Sequence, residues 1–139
     1  MAHKEKNYSV FNIGDFAALG EKESGGSKGR LMLGAALGLT GCEISVNSVP
    51  PEVSVPFTHS HKLNEEVYIV VSGSGMFHID GDEFPVQEGS AIRVAPKGVR
   101  VLKAGGETLV YICIQAQNGS LTQSTMEDGV ICEEKASWM

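Results

Sequence analysis

The chain has 139 residues and a net charge of −6, from 11 Lys plus Arg against 17 Asp plus Glu; that length suits one domain with one core, and the acidic balance argues against a nucleic-acid or anionic-membrane partner. With 42% hydrophobic and 20% charged residues it is too apolar for a disordered chain, and no apolar run approaches the ~18 residues of a membrane-spanning helix. The 17 Gly and 5 Pro are spread along the sequence, the composition of short strands joined by tight turns.

Residues 1–7 are polar and read as a frayed end, followed by a short strand at Tyr8, Val10 and Phe11 and a helical turn from Asp15 to Leu19, stopped by Gly20. Glu21 to Arg30 is charged and rich in Gly and Ser, hence an exposed loop. Leu31 to Leu39, interrupted by Gly34 and Gly38, reads as a packed strand or short core segment. From Cys42 the period becomes two. Cys42, Ile44, Val46 and Ser48 lie on one face and Glu43, Ser45, Asn47 and Val49 on the other, which predicts a half-buried strand ending at Pro50-Pro51.

An extended piece from Val53 to Phe57 leads into Thr58-His59-Ser60-His61. Glu66 to Val71 is dense in β-branched and aromatic residues and predicts a strand closed by Ser72-Gly73. Met76 to Asp80 and Glu83 to Val86 flank Asp80-Gly81-Asp82, a type I′-like hairpin signal. Further strands are predicted over Ala91 to Ala95, Val99 to Lys103 and Thr108 to Gln115. Short strands at this spacing indicate an all-β sandwich or barrel. The domains are therefore 1–30 as an N-terminal arm and loop, 31–115 as the β domain, and 116–139 as a C-terminal extension. The extension carries Met126, Val130, Ile131 and Trp138, enough apolar surface to pack on that domain or across a dimer.

Cys42, Cys113 and Cys132 fit neither a disulfide framework nor a zinc finger and read as free thiols. With no apolar segment behind the first six residues, the expected compartment is the cytoplasm.

The chemistry concentrates in His59-Ser60-His61-Lys62-Leu63-Asn64-Glu65-Glu66. Residues two apart in extended chain face the same way, so His59 and His61 can present both imidazoles to one point. Two imidazoles and a carboxylate suit zinc, iron(II), manganese or nickel. Strand parity does not choose between Glu65 and Glu66, because Val67, Ile69 and Val71 follow one while Tyr68 and Val70 follow the other.

This pattern resembles the first motif of the cupin superfamily: His-x-His, three or four residues, Glu, six residues, Gly. The six residues between Glu66 and Gly73 select Glu66. The motif's leading Gly falls at Val53. The second motif is degenerate: Gly89 precedes Pro96-Lys97-Gly98 by six residues instead of five, the fourth-ligand His position counted from Gly98 is Val101, and the closing Asn is Gly105. The resemblance covers residues 42–115 and implies an all-β, cupin-type double-stranded β-helix, a jelly-roll barrel, paired into a homodimer. It further implies a divalent metal held by His59, His61 and Glu66 in a cavity open to a small molecule; in an enzyme, Glu65 or a bound water is the candidate proton carrier.

Two functions follow as expectations: a small-molecule metalloenzyme of oxygenase or isomerase type, or a non-catalytic ligand-binding module in which Val101 enlarges an apolar pocket. His78 is expected at the surface or an interface. Tyr111, Cys113 and Gln115 share a face from which one of them could line the cavity beside the metal, a core Cys and a strand-end Gln being the simpler reading, and Arg93 and Arg100 read as surface arginines or as a fork for a carboxylate or phosphate.

Overall fold

A computed structural model describes residues 6–24 and 26–139; most of the predicted polar end, residues 1–5, lies outside them. Residues 8–11 form no strand and are exposed. Residues 30–32, a later segment, form that end of the five-stranded sheet instead. The predicted helical turn is a short 3-10 helix, Phe16–Glu21. The expected loop after it contains a small hairpin, β1 (Glu23–Ser24) and β2 (Ser27–Lys28). The glycine-interrupted segment splits into β3 (Arg30–Met32) and a one-turn helix α1 (Leu33–Leu37).

The alternating segments then form β4 (Glu43–Val49), β5 (Asn64–Ser72), β6 (Ser74–Ile79), β7 (Asp82–Gln87), β8 (Ala91–Val94), β9 (Arg100–Ala104) and β10 (Leu109–Gln117). They make a five-stranded sheet in the order β3-β4-β10-β5-β8 and a three-stranded sheet in the order β7-β6-β9. Every pairing is antiparallel. The two sheets are not joined by continuous hydrogen bonding into a closed barrel, an arrangement consistent with a double-stranded β-helix.

The β6–β7 connection follows the predicted hairpin chemistry. Asp80 and Gly81 have φ of 50° and 89°, both in the left-handed region that a type I′ turn requires. At Gly73, where β5 turns into β6, φ is 81° and a Cβ would run into the carbonyl oxygen of Thr108. Glycine is required there on both counts.

The main core lies between the sheets: Tyr68 and Val70 from β5, Phe77 from β6, Val86 from β7, Val94 from β8, Leu102 and Ala104 from β9, and Leu109, Tyr111 and Cys113 from β10. Tyr68 meets Phe77 edge to face at 5.0 Å between ring centroids, so aromatic contact helps fix the two sheets against each other. A second cluster covers the outer face of the five-stranded sheet, where Leu19 and Leu33 pack on Val46 and Val110. This layer corrects the expectation of a half-buried β4. Val46 is buried on the outer side and Val49 on the inner side, because the N-terminal segment folds back as a cover.

After Asn118, the chain is largely exposed and carries one capped helical turn, α2 (Thr125–Asp128), in which the Ser124 hydroxyl accepts from the Glu127 amide at 3.3 Å. Leu121, Met126, Val130, Ile131 and Trp138 are almost fully exposed in the single chain. Among the described residues, no helix is long and apolar enough to cross a membrane.

Candidate metal centre

Three backbone contacts bring the candidate ligands together. The segment before β5 runs antiparallel to the start of β9: the His59 amide donates to the Arg100 carbonyl at 3.1 Å, and the Arg100 amide donates back at 3.0 Å. The His61 amide donates to the Pro96 carbonyl at 2.7 Å. With the loop pinned there, His59 and His61 sit with ring centroids 5.2 Å apart and planes nearly perpendicular. Glu66 lies on the inward parity of β5 with Tyr68 and Val70, all three buried. Structure thereby decides what parity in the sequence left open.

His59 Nε2 lies 3.4 Å from Glu66 Oε1, and His61 Nε2 lies 3.3 Å from Glu66 Oε2. Donors each about 2.1 Å from one ion, at angles of about 90° to 110°, are about 3.0 to 3.4 Å apart. Each imidazole thus stands at ligand spacing from one of the two carboxylate oxygens of Glu66. His61 Nε2 is also buried without a hydrogen-bond partner, a cost that an ion at the centre of the group would remove. His59, His61 and Glu66 thus form a group able to hold a metal ion, with ligand atoms all within 4.8 Å of one another.

The surroundings of Glu66 prepare it as an anion. Its Oε1 accepts from the Tyr68 hydroxyl at 2.8 Å and its Oε2 from the Cys113 thiol at 3.2 Å. Burial works against the charged carboxylate, but these two hydrogen bonds and the charges of Arg100 and His61 outweigh it and hold the pKa below the ordinary carboxylate value. Burial likewise dominates at His59 and favours the neutral imidazole, the ligating form; Glu66 opposes this, and Arg100 and His61 add to it. Burial, reinforced by Glu66, pushes the Tyr68 hydroxyl and the Cys113 thiol far above their ordinary values. Both therefore remain protonated donors, and Cys113 serves the site as a thiol rather than as a thiolate ligand.

Arg100 does not fit the reading of a surface arginine. It is 1% exposed. Its Nε lies 3.2 Å from Glu66 Oε1, and its Nη1 donates to the carbonyls of Gly98, His59 and Pro96 at 2.8, 3.3 and 3.4 Å. Along β9 the inward, buried residues are Arg100, Leu102 and Ala104, while Val101 faces outward opposite His78. The expected apolar Val101 in the ligand cavity is thus corrected: Arg100 takes the inward place. The extra residue between Gly89 and Pro96 was the available signal, since counting the second motif from Gly89 lands on position 100 instead of 101.

The remaining candidates separate from the trio. Glu65 lies on the outer face, where it pairs with Arg93 at 2.9 Å, so it is not positioned to carry protons at the centre. His78 pairs with Glu83 at 3.1 Å beside a cleft on the outer face of the three-stranded sheet. Gln115 accepts from Asn64 at 2.9 Å. The centre opens to solvent on one side only. Tyr68, Phe77, Tyr111 and Cys113 fill the space between the sheets, and the trio meets solvent through the side chains of His59 and His61, 37% and 26% exposed.

Comparison with known proteins agrees with this architecture. The sequence profile described as a cupin domain matches residues 46–115. An uncharacterized protein of Methanocaldococcus jannaschii is 32% identical over 67 residues, covering 48% of this chain; the chain matches only 54% of that relative's length. The crystal structure of a cupin protein from Bacteroides fragilis superposes with a TM-score of 0.79 and 38% identity, over 92% of this chain and 99% of that one. An uncharacterized Klebsiella pneumoniae protein with a double-stranded β-helix domain shares the fold at a TM-score of 0.62 and 18% identity, over 79% and 93% of the two chains. With the profile spanning half its length and a solved relative matching nearly end to end, this chain belongs to the cupin domain family.

Proposed function

We propose that this cupin, built as a double-stranded β-helix, binds one divalent metal ion, zinc, iron, manganese or nickel, through His59, His61 and Glu66. The bound ion is presented to a small-molecule ligand at the open side of the two imidazoles. The observation that carries this reading is the buried, unpartnered Nε2 of His61 facing a carboxylate at ligand spacing. A bound divalent ion supplies Lewis acidity there, or oxygen activation if it is iron(II). The protein's own part is to keep Glu66 ionised through Tyr68 and Cys113, to keep His59 neutral, and to exclude water from the inner side of the group. We further propose a cytoplasmic homodimer, whose contact surface includes the exposed apolar residues of the C-terminal extension.

Metal analysis of protein purified without chelator, beside a His59→Ala/His61→Ala double variant, tests the reading. One equivalent of metal in the wild type and none in the variant is expected; equal, negligible metal in both overturns it. One observation favours a second reading, a metal-free ligand-binding module: Arg100 already compensates the charge of Glu66. Under that reading the two proteins bind equally little metal, and a ligand raises thermal stability without turnover.

A further inference from the structure

The buried guanidinium of Arg100 lies inward beside Glu66, at the position that the second motif, counted from Gly89, gives to its fourth ligand. Three backbone carbonyls hold its Nη1, its Nε faces Glu66, and its Nη2 is buried with no partner. Resting on the metal reading above, we infer that Arg100 is a positioning residue that acts by charge and makes the loaded centre selective for anionic ligands such as carboxylates.

The charges can be summed. As ligands His59 and His61 are unprotonated imidazoles and contribute nothing, Glu66 contributes −1 and Arg100 +1, so a divalent ion gives a centre of −1 + 1 + 2 = +2. A neutral fourth ligand in place of Arg100 would leave −1 + 2 = +1. Glu66 is the only carboxylate of the group among the described residues. Because Arg100 and Glu66 are shielded from solvent, salt screens this charge far less than a surface charge. Two consequences have opposite sign. A fixed cation beside the site weakens binding of the metal cation, and the same cation strengthens binding of an anion to the loaded centre. A packing defect would move both affinities downward, so the opposition of signs is diagnostic of charge.

Cobalt(II) is the probe, with acetate as anionic ligand and imidazole as neutral control, each titrated by visible absorption. Arg100→Gln, which keeps an amide donor for the Gly98 carbonyl, is expected to bind Co2+ about tenfold more tightly and acetate about tenfold more weakly than the wild type, with imidazole within about threefold. Arg100→Lys, which keeps the charge, should stay within about threefold of the wild type for all three. An acetate affinity indifferent to Arg100→Gln overturns the inference, as does parallel weakening of Co2+, acetate and imidazole. If the wild type takes up no Co2+, the metal reading and this inference fall together. Normal Co2+ uptake with an Arg100-independent acetate affinity removes only the inference.

Discussion

Replacing Tyr68 with Phe removes one oxygen from the protein interior and tests whether the inner wall of the site stabilises an ionised Glu66. Tyr68 donates to Glu66 Oε1 at 2.8 Å, and both residues are buried. A hydrogen bond to a charged group is worth about 1.5 to 3 kcal/mol, so a loss of about 2 kcal/mol is expected in metal-free protein at pH 7. An unfolding entropy of about 2.1 cal/mol/K per residue over 139 residues gives about 0.29 kcal/mol/K, hence a fall in Tm of about 7 °C. The difference should depend on pH. Glu66 titrates below its ordinary value in the folded chain, so its stabilisation is present above the unfolded carboxylate pKa and is lost as pH falls through the folded one. At a pH low enough to protonate Glu66 in the folded chain, below its already lowered pKa, the Tyr68 bond approaches that of a neutral pair, about 1 kcal/mol, and the Tm gap narrows to about 3 °C. Calorimetry of wild type and variant after chelator treatment, at both pH values, measures this. A shift below about 1 °C at pH 7, or one identical at both pH values, refutes the argument that Tyr68 supports a carboxylate.

Leu19→Ala tests the outer layer: Leu19 is fully buried against Leu33, Val46 and Val110, and its truncation should cost about 3 kcal/mol, read as a fall in the denaturant midpoint. A loss below about 1 kcal/mol would show that the layer contributes little to the fold. Burial lowers the pKa of His59 below 6.5, so the unfolded chain binds more protons there than the folded one, and metal-free stability should decline as pH falls from about 7 through 6.5. Urea denaturation of wild type and His59→Gln across this range checks it, and the variant should show the flatter profile. Equal slopes would remove His59 as the source.

Most of the strand framework was legible because β4 to β10 alternate apolar and polar residues between turns, and Asp80-Gly81 specifies its own backbone. The trio was legible because His59, His61 and Glu66 are close in sequence. What escaped depended on long-range packing. Nothing local in Leu19 or Leu33 announces that they cover Val46 and Val110. Tyr68 reads as a core residue and is one, and Cys113 shares a face with Tyr111 and Gln115 without any local sign of which of them meets the site; only the folded register places the Tyr68 and Cys113 donors on Glu66. Arg100 was misread because a one-residue insertion before Pro96 shifts the motif count, and in a strand a shift of one residue exchanges the inner face for the outer.

The cover formed by residues 16–37 has a consequence for how this fold can be divided. The family profile matches only from residue 46, yet the outward sides of Val46 and Val110 are closed by side chains that precede it. A fragment cut at the family boundary would keep all three candidate metal ligands and Arg100, and expose an apolar strip on the sheet that carries Glu66. The smallest autonomous unit is therefore larger than the segment the family profile matches, and grafting this centre onto another protein requires carrying the N-terminal cover with it.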